Sequence, residues 1–105
     1  MLQIDHAKVR RESLRWLILL TLNNARPMGA QESPILSVAQ SIYPDATPLE
    51  MRRELDYLHD RDLVDLNKSP SGPWHAELTR YGVDIAEYTI DCEPGIARPT
   101  KYWAG

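Results

Sequence analysis

Arg52, Arg53 and Asp56 are the residues of this 105-residue chain whose types and spacing best suit chemistry on a ligand. The chemistry is recognition, not bond making. An arginine bonds bidentately to the edge of guanine, and an aspartate accepts from the amino group of cytosine. Catalytic sets are missing from the pattern. His6, His59 and His75 have no carboxylate or cysteine at a recognisable spacing, and Cys92 is the single cysteine, so a Cys/His zinc set cannot be assembled. The glycines at 29, 72, 82, 95 and 105 form no phosphate-cradling loop. The sequence therefore predicts no enzyme, no cofactor and no metal ion.

The stretch from Ala46 to Thr79 must position these residues. Thr47-Pro48-Leu49-Glu50 supplies a capping hydroxyl, a proline at the first helical position and a carboxylate three residues after the cap. Met51, Leu55 and Leu58 then form one apolar stripe, which predicts a helix over 48–61. At about 100° per residue, the outward stripe is Leu49, Arg53, Asp56 and Asp60. Arg52 and His59 flank it on one side, Glu50 and Tyr57 on the other. Asp62 stands where such helices often end in a left-handed glycine. Leu63–Asn67 and Trp74–Leu78 alternate as two strands, with Lys68-Ser69-Pro70-Ser71-Gly72-Pro73 as a polar turn between them, and Thr79 caps a last helix over 80–88.

Upstream, residues 5–23 read as a first helix capped by Asp5, with Leu14, Leu17, Ile18 and Thr21 on one face. Trp16, Leu19 and Leu20 fall elsewhere, so this helix is either deeply buried or contacts a second chain. Asn24–Glu32 reads as a loop. Ser33-Pro34 then opens a short helix to about Ser41, and Pro44 stops it from running on. Two helices joined by so short a turn form a helix-turn-helix. The predicted fold is mainly α with a small β-hairpin: a winged helix-turn-helix with a three-helix core, a two-stranded wing and a C-terminal helix. It occupies residues 1–90, and 91–105 form an extended tail that Tyr102 and Trp103 could tie down.

The chain has 43% apolar residues, enough for one core, and a net charge of −3. The apolar run from Trp16 to Leu22 falls short of the roughly 20 residues that span a bilayer, and no cleavage site follows it. A soluble cytoplasmic protein is expected. Residues 47–78 carry four cations (Arg52, Arg53, Arg61, Lys68) against seven acids (Glu50, Glu54, Asp56, Asp60, Asp62, Asp65, Glu77).

Two readings stay open. In one, the chain binds double-stranded DNA: Thr47, Leu49, Arg52, Arg53 and Asp56 reach base edges, while Lys68, Ser69, Ser71 and His75 meet the backbone. In the other, Asp56 neutralises Arg52 and Arg53 on their own helix and the domain binds protein or serves as a scaffold. Lys8, Arg10, Arg11 and Arg15 either steer toward phosphate or form a solvated face. A homodimer through helix 5–23 and the C-terminal helix accompanies the first reading.

From Arg11 to Thr79 the chain resembles small winged-helix regulators. Met51-Arg52-Arg53-Glu54-Leu55-Asp56-Tyr57-Leu58 followed by Asp62-Leu63-Val64 corresponds to their recognition helix and first wing strand, and Leu78-Thr79-Arg80-Tyr81-Gly82 to the segment after the wing. More narrowly, Arg11-Glu12-Ser13-Leu14, Leu63-Val64, Leu78-Thr79 with Gly82, and Pro94-Gly95-Ile96-Ala97-Arg98-Pro99 together resemble the small winged-helix proteins of Mu-like transposable phages, which tend to be encoded near head-packaging genes. The resemblance implies a phage or prophage protein in a bacterial cytoplasm, without catalytic residues, whose partner is viral DNA or a packaging component.

Overall fold

Helix α1 (His6–Asn24) starts where Asp5 accepts the Lys8 N–H, at 3.1 Å, in the computed structural model, which describes residues 3–101. It buries Leu14, Ile18 and Leu22 in one row and Arg15 and Leu19 in the next. Two adjacent i, i+4 rows make a stripe wide enough to face several elements, and α1 packs on the three other helices and on the sheet. Leu19 thus belongs to the chain's own core rather than to a second chain. Trp16 is half-buried edge-to-face against Tyr88, with ring centroids 5.9 Å apart, while Leu20 stays half-exposed.

The expected loop 24–32 contains a short strand, β1 (Ala30–Gln31), and α2 (Glu32–Gln40) begins two residues before Pro34. Gln31 occupies the cap position without a side-chain bond, and Pro34 is the third helical residue, where its missing N–H is not needed. Gly29 makes the approach to the sheet feasible: its φ is +71°, and a Cβ there would strike the Ala76 carbonyl oxygen and the Glu77 side chain.

Helix α3 (Pro48–Asp60) has Thr47 as its cap, the hydroxyl accepting the Glu50 N–H at 3.2 Å, and it buries Met51, Leu55 and Leu58. It closes in a Schellman motif, with Leu63 N–H on Leu58 O at 2.9 Å and Asp62 N–H on His59 O at 3.0 Å. Asp62 takes the left-handed φ of 62° that the sequence reserved for it.

Strands β2 (Val64–Lys68) and β3 (Trp74–Leu78) pair antiparallel, Val64 opposite Leu78 and Lys68 opposite Trp74. Because β1 pairs with the other edge of β3, the expected two-stranded hairpin is part of a three-stranded sheet ordered β1-β3-β2. Helix α4 (Arg80–Ala86) follows, capped by Thr79, and stops two residues short of Tyr88, whose φ is 61°. Four helices with a small antiparallel sheet are compatible with a winged-helix-like fold. No helix among the described residues is long and apolar enough to cross a membrane.

The segment after α4 lies against α1 and α4. Arg98 donates to the Ile85 and Ile90 carbonyls (3.1 and 2.9 Å), Ala97 N–H reaches Glu12 O at 3.1 Å, and the Tyr88 hydroxyl donates to Pro99 O at 2.7 Å. Tyr102 and Trp103, the expected ties, lie outside the described residues. The firmest hold is Arg15. Its Nε bonds Glu54 Oε1 at 2.7 Å, its Nη1 bonds Gly95 O at 2.8 Å, and its guanidinium lies 3.4 Å from the Tyr57 ring centroid. Arg15 and Glu54 are only 9% and 4% exposed, so Arg15 is no part of a solvated or steering face.

Removing one partner of a buried pair strands the other charge. Arg15→Ala should therefore destabilise the protein by about 3–5 kcal/mol in urea unfolding, whereas Arg15→Met with Glu54→Leu should recover most of that loss. Asp62→Gly should raise stability by about 0.5–1 kcal/mol, the left-handed penalty less glycine's entropy cost.

Candidate nucleic-acid interface

The outer face of α3 is set by what its other faces hold. Glu50 turns toward α1, where Arg10 grips both its oxygens (2.7 and 2.8 Å) and also Asp45 (2.9 Å), with the guanidinium 4.7 Å from the Tyr43 ring centroid. Glu54, one turn on, takes Arg15. Arg10 is thereby engaged as fully as Arg15, and its guanidinium is held above its ordinary pKa by the hydrogen bonds it donates to Glu50 and then to Asp45. Of the expected basic patch, Lys8 stands 3.9 Å from Glu12, and Arg11 is exposed without a partner among the described residues.

Arg52 faces the sheet side of the fold. Its Nε and Nη2 bond Glu32 Oε2 and Oε1, both at 2.6 Å, and its guanidinium lies 4.6 Å from the centroid of Trp74. Glu32 Oε1 also accepts the Trp74 N–H at 3.1 Å, so one carboxylate joins α2, α3 and β3. The hydrogen-bonding edge that would read guanine is therefore occupied, and Arg52 braces the fold. The Arg52 hydrogen bonds chiefly, with the Trp74 N–H, hold Glu32 below the usual carboxylate pKa against its burial, and Glu32 raises Arg52 in return.

The pairing of Arg52 and Arg53 with Asp56 that belongs to the second of the two open readings does not form. Asp56 Oδ1 instead meets Lys68 Nζ at 2.7 Å, joining α3 to the hairpin. Lys68 Nζ also lies 4.6 Å from the Trp74 centroid. Trp74 is half-buried against the core and carries two cations on its ring.

Arg53 is exposed and has no partner among the described residues, in line with Leu49, which is 61% exposed. Thr47 uses its hydroxyl as the α3 cap. Ser69 and Ser71 lie exposed on the turn between β2 and β3. His75 is elsewhere, on β3 beside β1, its Nε2 3.1 Å from Met28 O. It fastens the segment before β1 and does not extend the turn's surface.

Allotting the charges changes the raw count. Among the seven acids of residues 47–78, Glu50, Glu54 and Asp56 have cationic partners. Arg52 and Lys68 are ion-paired, and Arg61 lies 3.6 Å from the Tyr57 ring centroid. Arg53 alone of the four cations is unengaged among the described residues. Where α2, the start of α3 and the hairpin turn meet, a shallow cavity of about 240 Å³ is lined by Glu32, Ser33, Leu36, Pro48, Met51 and Pro73. Glu32 was missed as a site residue because no local spacing links it to Arg52 twenty positions away.

No family model matches the chain, and no curated protein matches it. Among solved structures, the fold is shared with a crystal structure of a protein from Ralstonia eutropha JMP134. The two are 24% identical over 74% of this chain and 95% of the other, with a TM-score of 0.61. The Ralstonia protein is described, provisionally, as DNA-binding.

The Glu32 bonds make stability depend on acid. Its pKa is lower in the folded chain than its ordinary 4.5, so the unfolded chain binds more protons between those values and stability rises with pH there. The contribution is complete above the ordinary value and is lost as pH falls through the folded one. Glu32→Gln should cost about 1–2 kcal/mol near neutral pH and flatten the acid limb of a urea-midpoint profile below pH 4.5.

Proposed function

We propose that this chain is a non-enzymatic winged-helix DNA-binding protein that lays α3 in a major groove, with the β2–β3 hairpin as the wing on the backbone. The observation that carries the reading is Arg53: a partnerless arginine in the second turn of an outward-facing helix, beside exposed Leu49. Residues in the first two turns of such helices reach base edges. Arg53 suits guanine bidentately, and Leu49 suits the thymine methyl. Ser69 and Ser71 are neutral donors for phosphate.

Further support comes from the provisional DNA-binding description of the Ralstonia protein of like fold. The resemblance to winged-helix proteins of Mu-like phages adds a phage or prophage origin and work in a bacterial cytoplasm. Arg52, engaged by Glu32, is assigned no base in this reading.

A second reading, a protein-interaction adaptor without DNA contact, is favoured by the exposed apolar Val38, Ile42 and Leu49 of α2, the turn and α3. A mobility-shift titration separates the two. DNA binding predicts that affinity for duplex falls steeply between 50 and 200 mM salt, and that Arg53→Ala weakens binding to a selected site by about 1–3 kcal/mol. Equal affinity of wild type and Arg53→Ala would reject the assignment of Arg53. Absence of salt-dependent duplex binding in dilute buffer would favour the adaptor.

A further inference from the structure

Lys68 is the only lysine or arginine between Val64 and Leu78, and it does not stand free. Its ammonium is 2.7 Å from Asp56 Oδ1, a carboxylate on the face of α3 that the DNA-binding reading turns toward the bases. The side chains of Lys68 and Asp56 are 47% and 45% exposed, so the pair is open to exchange with an outside anion. The Trp74 ring, 4.6 Å from the ammonium, offers Lys68 a second contact that does not depend on Asp56. The other cation on that ring, Arg52, is held bidentately by Glu32 and does not compete for Asp56.

We propose, resting on the DNA-binding reading above, that Asp56 withholds the wing's lysine from the phosphate backbone and thereby suppresses non-specific duplex binding. To meet a phosphate, Lys68 must leave Asp56, and the carboxylate is then left among base-edge acceptors and nearby phosphates. Only an amino donor in the groove, such as that of cytosine, compensates it. Phosphate contact by the wing is thus coupled to the base that α3 faces. Asp56 acts as a specificity-determining residue, and its removal strengthens binding to arbitrary duplex.

The test titrates the full chain with a mixed-sequence 20-base-pair duplex from 50 to 200 mM NaCl. It compares Lys68→Ala with its parent in three backgrounds: wild type, Asp56→Asn and Asp60→Asn. Asp60→Asn makes the same charge change one turn away, at an exposed position with no partner among the described residues. In wild type and in Asp60→Asn, Lys68→Ala is expected to leave the salt slope unchanged.

In Asp56→Asn the released lysine should add one phosphate contact. This steepens the slope by about 0.9, an extra loss of roughly 3–4-fold across that salt range, and Lys68→Ala should remove it. The same effect of Lys68→Ala in all three backgrounds overturns the proposal while leaving DNA binding intact. No salt-dependent binding by any variant at 50 mM overturns the DNA-binding reading and this proposal with it.

Discussion

The Arg15–Glu54 pair fixes the frame from which the rest of the structure follows. Two charges removed from water are costly unless each finds an opposite charge and further hydrogen bonds. Arg15 meets that demand with Glu54 on α3, the Gly95 carbonyl of the C-terminal segment and the Tyr57 ring. Gly95 is held close enough that a Cβ, at its φ of +104°, would strike the Tyr57 hydroxyl. The pair therefore sets the rotation of α3 about its axis. With Glu54 turned to α1, Glu50 one turn earlier must face α1 too, where Arg10 meets it. Met51, Leu55 and Leu58 then point into the core, and Leu49 and Arg53 point away from it.

Charge is partitioned in this fold between helices, not along them. Each face of α3 has its own counter-ions: Arg10 and Arg15 from α1, Glu32 from α2, and Lys68 from the hairpin. A tally of signs along residues 47–78 makes the motif acidic, yet two of its three glutamates, Glu50 and Glu54, serve the first helix. The basic half of α1 is reduced in the same measure. Potential at the surface follows from what is left after pairing, which is why a net charge of −3 is a poor guide to what α3 presents.

What was legible in the sequence was local. Asp5, Thr47 and Thr79 cap the helices read from them, and Asp62 adopts the left-handed turn. The apolar stripe of α3 points inward, because caps and stripes are decided within a few residues. The start of α2 was misread because Ser33-Pro34 imitates a cap and proline, whereas the neighbouring backbone is captured by β3. That capture depends on Gly29 approaching Ala76, a contact across 47 positions that no periodicity announces. The ion pairs that decide which arginines are available span 20, 39 and 40 positions, beyond any helical spacing rule. Arg52 and Arg53 both read from the sequence as residues that reach base edges, yet one is held by Glu32 and the other is unengaged among the described residues.

The same pairings that remove cations from the surface also hold its parts in register. Glu32 joins α2, α3 and β3, so the outer helix and the hairpin have a fixed relation before any partner arrives, and the half-exposed Asp56–Lys68 pair adds a contact that stays open to exchange. Pre-organisation of this kind lowers the ordering cost of binding, while the loss of free cations lowers long-range attraction. On the proposed reading these effects act together. Weak attraction to arbitrary phosphate leaves the short-range contacts of Arg53 and Leu49 to decide where the chain settles, and those contacts discriminate only if α3 is held still. Additional free arginines on α1 or α3 would bind duplex more strongly everywhere and, by loosening the carboxylates that orient α3, select less well among sites.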